Sequence, residues 1–452
     1  MTEQVDVVVL GLGVGGEEVA GKLAEAGLSV VGVEGKLVGG ECPYWGCVPS
    51  KMMIRAANLL AETRRVPGMA GSSEVTPDWA PVAARIREEA TDTWDDRVAV
   101  ERFEGKGGRF VRGWGRLEGP GRVRVGDQVF EARRGVVIGT GTTAVIPLID
   151  GLADTPYWTN REAVEAERLP GSLIVLGGGA IGLELAQAYA RFGVAVTVVE
   201  ALDRLLPVEE PEASEVVQKA LEADGITVRT GARAVKVDPG FSVSLDDGST
   251  VEGEKLLVAV GRRVDLSGLG VDAAGLDPKA KALPTDERLC AAERLWGVGD
   301  VTGHGAFTHV AMYQAQIVVR DILGQEGPPA DYRALPRVTF TDPEVGAVGL
   351  TEAQAREAGL TVSTGLAQVP STARGWIHKA GNEGVIKLVA DTDRGVLVGA
   401  TAVGPTGGEV LAGLAVAVHG EVPIERLRHM IYAYPTFHRG IEDALRDLGS
   451  GR

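Results

Sequence analysis

The chain has 452 residues, 44% of them hydrophobic and 24% charged, the balance of a globular protein with room for about three domains. Its formal net charge of −16 argues against nucleic acid and anionic membranes as partners, because no basic excess is there to neutralise phosphates. The three cysteines, Cys42, Cys47 and Cys290, exclude a disulfide framework and a four-thiolate zinc site, and we expect no metal.

The first predicted element is a buried strand at Val7–Leu10, with no signal-peptide pattern before it. A glycine-rich turn follows, then a helix over 17–26 and a strand over 28–33 that ends in an acidic residue. This is the order of a dinucleotide-binding fold, in which the glycines shape the turn, admit the pyrophosphate and allow close helix packing, while the acid holds a ribose hydroxyl. The residues at these positions are Gly11, Gly13, Gly16 and Glu34. No apolar run approaches the roughly 20 residues of a membrane span, so we expect a cytoplasmic protein.

A second copy of the pattern lies further along the chain, with strands over 173–176 and 195–199 and a helix over 183–192. Its glycines and acid are Gly177, Gly179, Gly182 and Glu200. The differences 177−11, 179−13, 182−16 and 200−34 all equal 166. Each unit also closes on a glycine after an apolar strand, Gly141 in the first and Gly261 in the second. Two units in register predict that one chain binds two dinucleotides.

The first unit carries an insert after Glu34, because it spans 141−11 = 130 positions where the second spans 261−177 = 84. The insert holds Cys42 and Cys47 and an amphipathic helical stretch around 78–97. In a regular helix, Cα atoms five residues apart would be roughly 8.7 Å apart, beyond the reach of a disulfide. The segment must therefore be distorted if the cysteines bond, and Pro43 and Gly46 are residues that interrupt a helix. Such a pair more often serves redox or metal chemistry than packing.

The rest of the chain predicts a linker over 147–170, a short strand ending at Gly299-Asp300, a helix over 308–323 and a boundary at 327–329. Beyond it we expect strands near 337–340, 384–390 and 396–403 and helices near 408–419 and 441–448, forming an α+β domain used for assembly. The fold class is thus α/β, with two Rossmann-like domains and a C-terminal α+β domain. The expected domain ranges are 1–148, 149–265, 266–328 (completing the first domain) and 335–452.

Together these motifs resemble the FAD-dependent pyridine nucleotide-disulfide oxidoreductases, the group of dihydrolipoamide dehydrogenase, glutathione reductase and mercuric reductase. The resemblance covers essentially the whole chain and depends most on the Gly-Gly-x-Cys-x4-Cys-x-Pro-Ser-Lys segment over 39–51. Both glycine patterns, Gly299-Asp300 and the Phe-Thr-Asp-Pro-Glu segment over 340–344 add to it.

The resemblance implies FAD in the first unit, held by its glycines and Glu34 and by Asp300 on the ribityl side. It implies a nicotinamide nucleotide in the second unit. A carboxylate at Glu200 accepts from a ribose 2′-hydroxyl and repels a 2′-phosphate, which favours NADH over NADPH, although Arg204 lies nearby. Lys51 and Glu184 match a buried pair beside the flavin, and a solvated Glu184 is the alternative.

In the family's mechanism, hydride passes from the nicotinamide to the flavin and then to the cysteine disulfide. Cys47 would be the flavin-proximal thiolate and Cys42 the thiol that attacks substrate. The C-terminal domain would form a homodimer and lend a histidine to the partner's cysteines. Here Tyr434 stands in the histidine's place and Arg439 in that of its glutamate partner.

The missing histidine leaves the proton transfer open, because a tyrosine is mostly a fixed donor at neutral pH. His438 is the nearby alternative as proton carrier, or else a surface residue. His304 and His309 adjoin the Gly299-Asp300 motif and are candidates to line the flavin, whereas His378, His419 and His429 are expected to be structural or exposed. Tyr44 and Trp45 either pack or shape a pocket for an aromatic or apolar substrate. Cys290 is expected to be a core thiol.

The sequence therefore predicts an oxidoreductase that reduces an unidentified small disulfide or electrophile with NADH, FAD and the Cys42/Cys47 pair. Mercuric reductase activity would need a thiol pair after Cys290, and none is present. The first alternative is a flavin-only quinone reductase or an enzyme that cleaves carbon–sulfur bonds. A non-enzymatic redox sensor is the second alternative, which the intact electron path disfavours.

Overall fold

The computed structural model describes residues 2–448. Their contacts divide the chain into two compact units, one made of residues 2–49, 84–145 and 262–331 and the other of 50–83, 146–261 and 332–448. Within the described residues, no helix is long and apolar enough to cross a membrane.

Twenty-two strands and fourteen α-helices are formed by the described residues. The strands are β1 (Thr2–Leu10), β2 (Val30–Glu34), β3 (Arg109–Arg112), β4 (Gly115–Gly119), β5 (Arg122–Val125), β6 (Gln128–Ile138), β7 (Thr143–Ala144), β8 (Ser172–Leu176), β9 (Ala195–Val199), β10 (Thr227–Arg229), β11 (Ala234–Asp238), β12 (Ser242–Leu245), β13 (Thr250–Glu252), β14 (Lys255–Val258), β15 (Arg262–Arg263), β16 (Cys290–Ala292), β17 (Leu295–Gly297), β18 (Pro336–Thr339), β19 (Glu344–Gly349), β20 (Val362–Gln368), β21 (Val385–Asp391) and β22 (Val396–Gly404). The helices are α1 (Val14–Glu25), α2 (Glu41–Tyr44), α3 (Cys47–Arg65), α4 (Ala80–Arg85), α5 (Arg97–Gly105), α6 (Asn160–Glu165), α7 (Ala180–Arg191), α8 (Pro211–Ala223), α9 (Thr308–Leu323), α10 (Glu352–Glu357), α11 (Ala373–His378), α12 (Gly407–His419), α13 (Ile424–Arg428) and α14 (Gly440–Asp447).

The first unit is built on a parallel sheet in the order β17-β6-β1-β2-β3, with β16 antiparallel at one edge and the β4–β5 hairpin attached through β6. The later part of β1, over residues 7–10, is buried on both faces, as expected for a central parallel strand. Val7 and Val9 join a cluster that includes residues of α1 and α9, whereas Val8 and Leu10 join the cluster on the opposite face. This alternation follows from the period of two in a strand.

The second unit contains three sheets, among them a parallel one in the order β10-β9-β8-β14. Strands β11, β12 and β13 form an antiparallel sheet, and β18-β19-β22-β21-β20 form a larger one. Side chains from α12 and α14 pack on that five-stranded sheet. The predicted α/β class, with two Rossmann-like folds and a C-terminal α+β part, is confirmed.

Three expectations need correction. The predicted helix around 78–97 is broken, because a π-helical turn at Ile86–Ala90 is followed by three residues with left-handed backbone at Asp92–Trp94. The expected linker over 147–170 contains α6 and a 3-10 turn at Leu152–Asp154, and it packs through the fully buried Leu152. The C-terminal sheet has two further strands, β19 and β20, whose glycine and alanine content hides the usual strand signal.

Candidate functional site

The first and third glycines of each predicted fingerprint lie where a side chain would collide with the backbone. Gly11 has φ of +90°, and a Cβ there would lie 2.6 Å from the carbonyl oxygen of Gly139. A Cβ at Gly16 would overlap the carbonyl oxygen of Gly11. Gly177 and Gly182 repeat both close approaches in the second unit. Only glycine fits these positions, so each helix can start tightly against its strand.

Each fingerprint leads into a helix whose first N–H groups are not capped by a side chain. The N-cap residues are Gly13 for α1 and Gly179 for α7, and neither helix has a side-chain cap. A Cβ at Gly179 would meet no atom within 4 Å. Both helix starts therefore offer uncapped N–H groups and a positive dipole end, which is what a pyrophosphate requires.

Glu34, the acid at the end of β2, is oriented by backbone donors. Its Oε2 accepts from the amide of Leu12 at 2.9 Å and its Oε1 from the amide of Lys36 at 2.7 Å. Two N–H groups thus hold the carboxylate beside the glycine turn, where it is available to a ribose hydroxyl.

Glu200 repeats this arrangement in the second unit with the same offset. It accepts from the amides of Gly178 at 2.6 Å and Leu202 at 2.8 Å, and 178−12 and 202−36 both equal 166. The nearby Arg204 donates to the carbonyl oxygens of residues 206, 207 and 209 and to the hydroxyl of Ser214 at 2.8 Å. Its guanidinium is therefore bound within its own loop.

Asp300 lies in a polar chain that the sequence predicts only in part. Burial raises the pKa of its carboxyl group, which accepts from the Thr142 hydroxyl at 2.9 Å. Arg262 donates to the Thr142 hydroxyl at 2.8 Å and to the Thr142 carbonyl at 2.9 Å, and its Nη1 lies 3.8 Å from Glu41. Thr142 and Arg262 were missed, and the only signal for them is that each follows a closing glycine, Gly141 or Gly261.

The closing glycines and the Gly299 turn are also in place. Gly141, Gly261 and Gly299 all have positive φ, at 68°, 127° and 79°. The amide of Gly299 donates to the side chain of the fully buried Gln314 at 2.7 Å, and Gln314 donates in turn to the hydroxyl of Thr302. Gln314 on α9 was missed, since a lone glutamine in an apolar helix has no distinctive pattern.

The two cysteines predicted to be redox-active lie on either side of a break between helices. Cys42 is in the short α2, Trp45 and Gly46 interrupt the helix, and Cys47 begins α3. All three cysteines of the chain are in the thiol form. Cys47 is exposed, and its sulfur lies 3.3 Å from the hydroxyl of Thr308, the first residue of α9. Two helix N-termini thus meet at this sulfur, a setting that favours a thiolate.

The aromatic residues between the cysteines are packed rather than open. Tyr44 and Trp45 are 6% and 8% exposed, with their ring centroids 5.7 Å apart. Burial raises the pKa of Tyr44 to about 12. The packing interpretation of these side chains is therefore favoured over a substrate pocket that they would line.

Lys51 and Glu184 form an ion pair of 2.7 Å. The carboxylate is 7% exposed and the lysine side chain 35%. Glu184 also accepts from the amide of Phe340 at 2.8 Å, and the ammonium lies 4.6 Å from the centre of the Phe340 ring. The contacts exclude a solvated Glu184.

This ion pair belongs to a network of hydrogen bonds and ion pairs between α3, α7 and the segment after β18. Asn58 and Arg65 follow Lys51 on α3 at intervals of seven residues, and Arg191 follows Glu184 on α7 at the same interval. Each set therefore lies along one face of its helix. Arg191, 1% exposed, donates to Asn58 at 2.6 Å and to Asp342 at 2.8 Å, and Arg65 donates to the same Asp342 oxygen. The side-chain amide of Gln187 donates to the backbone carbonyl of Asp342 and accepts from its backbone amide. The sequence does not predict this network, because its partners lie far apart in the chain.

The segment that replaces the expected histidine is a surface turn before α14. Tyr434 is 68% exposed, and the guanidinium of Arg439 lies 5.3 Å from its ring centre and 3.0 Å from Glu442. His438, expected in the first turn of the last helix, lies in the 3-10 turn just before it, 3.3 Å from the hydroxyl of Thr436. Arg439 therefore holds the face of the phenol ring.

The remaining histidines are consistent with packing or surface positions. Burial lowers the pKa of His304, which lies 3.4 Å from the hydroxyl of Thr285. His309 stacks on the Phe307 ring and His378 packs edge-on against Phe437, with centroid distances of 5.1 Å and 5.4 Å. His419 and His429 are exposed. Cys290 is partly buried against a core cluster, as expected.

Comparison with protein families gives two matches that together span most of the chain. Residues 5–315 match the family described as "Pyridine nucleotide-disulphide oxidoreductase". Residues 335–445 match the family described as "Pyridine nucleotide-disulphide oxidoreductase, dimerisation domain".

Curated relatives are similar over nearly their whole length. A dihydrolipoyl dehydrogenase of Haloferax volcanii is 33% identical over 461 residues, covering 97% of this chain and 95% of the relative. A mercuric reductase of Streptomyces lividans is 31% identical over 466 residues, covering 98% and 96%. Among solved structures, LpdA from Mycobacterium tuberculosis superposes with a TM-score of 0.85 at 27% identity, covering 99% of each chain. The HOCl-induced flavoprotein disulfide reductase RclA from Escherichia coli does so at 0.84 and 25% identity, covering 98% and 99%.

Proposed function

The chain belongs to the pyridine nucleotide-disulphide oxidoreductase family, and we propose that it uses NADH and FAD to reduce its Cys42/Cys47 pair, which then reduces a small disulfide or another electrophile. It is a flavoprotein enzyme that depends on a pyridine nucleotide, and its matched dimerisation domain implies a homodimer. The observation that carries the proposal is the position of Cys47, which begins α3 and contacts the first residue of α9.

The first unit fits FAD by the shape of its backbone. The close approaches at Gly11 and Gly16 leave no space for a side chain, and the start of α1 at Gly13 is uncapped. We assign the pyrophosphate to this turn and a ribose hydroxyl to Glu34. Asp300, whose carboxyl is partly buried and has a raised pKa, suits a hydroxyl-rich chain such as ribityl.

The second unit fits an unphosphorylated nicotinamide nucleotide. Glu200 is buried and its carboxylate accepts from two backbone amides, so a 2′-phosphate would meet an acidic side chain fixed in place. Arg204 is the cation that follows this position in the sequence. Its guanidinium donates to backbone carbonyls of its own loop and to the Ser214 hydroxyl. Both observations support NADH over NADPH as the reductant.

The cysteines carry out the exchange with substrate. The hydroxyl of Thr308 and the helix ends at Cys47 stabilise a thiolate on that sulfur, and Cys42 is left as the attacking thiol. Attack by the Cys42 thiolate on a substrate disulfide releases one substrate thiolate and gives a mixed disulfide. The Cys47 thiolate then attacks the Cys42 sulfur, which releases the second substrate thiolate and forms the Cys42–Cys47 disulfide. The chemistry that a bound FAD supplies is two-electron transfer between the nicotinamide and this cysteine pair.

Lys51 and Glu184 have a supporting role in this proposal. Lys51 lies one turn after Cys47 on the same helix, α3. Its ion pair with the buried Glu184 fixes the position of the ammonium group. A positive charge that is already fixed in place stabilises negative charge that develops nearby during the reaction, because no side chain has to move first.

Proton transfer to the substrate is assigned to the segment over 434–438. Tyr434 is exposed and its ring is held by Arg439, so the phenol is a positioned donor, and His438 is the alternative proton carrier. Four large apolar side chains of the same C-terminal domain are exposed, which supports a homodimer formed through this domain: Trp376, Val416, Met430 and Ile431.

The same substitution supports a second candidate function. The chain has no histidine at position 434 to exchange a proton with a thiol at neutral pH. Direct reduction of a quinone at the flavin, or cleavage of a carbon–sulfur bond, does not need that proton transfer. The relevant observation is that Arg439, where a glutamate partner is expected, pairs with Glu442 instead.

An anaerobic NADH titration of the purified protein separates the two functions. We expect a long-wavelength charge-transfer absorption after two electrons in the wild-type protein, and its loss in C47S. C42S should keep the absorption but lose disulfide reductase activity. Bleaching without that band, together with quinone reduction that survives C42S and C47S, would favour the flavin-only function. A colourless protein that does not react with NADH would contradict both.

A further inference from the structure

Trp114 is an exposed aromatic residue next to Glu34, the acid of the first glycine fingerprint. Its side chain is 72% exposed, whereas Trp45, Trp79 and Trp296 are at most 8% exposed. An indole is among the largest apolar surfaces that a side chain can present, and it gains free energy when another ring covers it. The backbone around Trp114 indicates which ring that is.

Trp114 lies at the edge of the sheet where the parallel strands of the first unit end. Strands β1, β2 and β3 are parallel neighbours, so their carboxyl ends lie together, and this is the edge at which open α/β sheets bind ligands. Gly113 directly follows β3 and donates its amide to the carbonyl oxygen of Glu34 at 3.0 Å. Trp114, the next residue, is therefore held beside the end of β2.

The indole ring lies flat against Gly35, the residue after Glu34. A Cβ at Gly35 would be 2.6, 2.8 and 2.9 Å from Cε2, Cδ2 and Cζ2 of Trp114. These three atoms are adjacent in the ring, so the backbone of Gly35 faces the plane of the ring rather than its edge. One face of the indole is thus covered by backbone, and the exposure of 72% shows that the other face is open.

The linear order of a dinucleotide places its base near Trp114. The proposed position of the pyrophosphate is the start of α1, which follows β1, and that of the ribose is Glu34, at the end of β2. The base follows the ribose in the molecule, as β3 follows β2 in the sheet. Because adjacent strands are only about 4.8 Å apart, a base attached to a ribose at Glu34 reaches the end of β3.

The second unit has no aromatic residue at the corresponding place. The amide of Ala232 donates to the carbonyl oxygen of Glu200 at 3.0 Å, which repeats the contact of the first unit. The next residue is Arg233. The backbone of a dinucleotide-binding unit therefore does not require an aromatic residue here, and Trp114 is a feature of the first unit alone.

We propose that Trp114 stacks on the adenine ring of FAD and raises the affinity of the chain for this cofactor. This rests on the proposed function, which assigns FAD to the first unit. The open face of the indole offers a planar base an offset stacking contact, and adenine is the base that FAD carries. Gly35 supports the opposite face, so the ring is in place before the cofactor binds and loses little freedom on binding.

The test is the dissociation constant for FAD. The full-length chain is stripped of FAD and titrated with it again, and the free FAD that passes an ultrafiltration membrane is measured by its fluorescence. We expect Trp114→Ala to raise the constant about five- to thirtyfold, the lower part of the range for one stacked base. Trp114→Phe keeps an aromatic face and should stay within about threefold of the wild type, whereas Trp114→Leu lacks that face and should follow Trp114→Ala.

Leu202→Ala is the matched control. It removes an exposed apolar side chain two residues after Glu200, the acid of the second unit, and should not change the constant for FAD. A constant for Trp114→Ala within about twofold of the wild type would overturn the inference while leaving the proposed function intact. A rise in Trp114→Phe or in Leu202→Ala equal to that in Trp114→Ala would do the same.

A wild-type chain that binds no FAD would overturn the proposed function and the inference together. If Trp114→Ala fails to fold, Trp114→Leu takes its place, because leucine still covers Gly35 with an apolar side chain. Equal constants for Trp114→Leu and Trp114→Phe would then overturn the inference.

Discussion

The Lys51–Glu184 ion pair predicts unequal effects of its two single substitutions. Its carboxylate is 7% exposed and its lysine side chain 35% exposed. Lys51→Met leaves a buried charge whose one remaining donor is the Phe340 amide, which should cost about 2–3 kcal/mol of folding free energy. Glu184→Gln leaves an ammonium that can turn to water, and should cost about 0.5–1 kcal/mol.

The assay is thermal unfolding of the FAD-loaded protein, followed by circular dichroism. For domains of this size, about 2–3 kcal/mol corresponds to a fall of about 4–12 °C in the midpoint for Lys51→Met. The double variant Lys51→Met/Glu184→Gln should be more stable than Lys51→Met alone, because no buried charge remains. The exposed pair Arg97–Glu101 is the matched control, and neither Arg97→Met nor Glu101→Gln should move the midpoint. Equal losses for Lys51→Met and Glu184→Gln, or a larger loss for Glu184→Gln, would refute the reasoning.

Three further predictions follow from the site. Thr308→Val removes the hydroxyl 3.3 Å from the Cys47 sulfur, so the thiolate fraction at neutral pH should fall about tenfold; an unchanged alkylation rate against pH would contradict this. Burial raises the pKa of Asp300, so the folded FAD-free protein holds a proton that the unfolded chain releases, and stability should fall as pH rises above about 4. Melting temperatures from pH 4 to 7 should show this slope in the wild type and less of it in Asp300→Asn, and parallel curves would exclude it. Glu200→Ser should raise kcat/KM for NADPH relative to NADH about tenfold, because it removes an acidic side chain. Arg204→Met should leave the wild-type preference for NADH in place. A loss of that preference in Arg204→Met would show that the guanidinium contacts the nucleotide.

The sequence alone was sufficient for features that depend on local backbone and hydrophobic period. Helix α9 lies at 308–323 as predicted, because its apolar positions recur with the helical period. The glycines at Gly11 and Gly177 mark positive φ, and the constant offset of 166 reflects one unit used twice. The broken helix around 78–97 shows the limit of this reasoning, since Asp92, Thr93 and Trp94 carry no local signal for left-handed backbone.

The partners of the site were decided by tertiary structure. Thr308 and Cys47 are 261 residues apart, and Arg191 and Asp342 are 151 apart. A hydroxyl or a guanidinium is compatible with many surroundings, so its type does not say which atom it will meet. The sequence thus determined the fold, the two dinucleotide-type glycine turns and the position of the cysteine pair, because glycine geometry, residue period and motif spacing act within a few residues. The polar groups that lie against those segments were decided only when packing brought distant parts of the chain within hydrogen-bond distance.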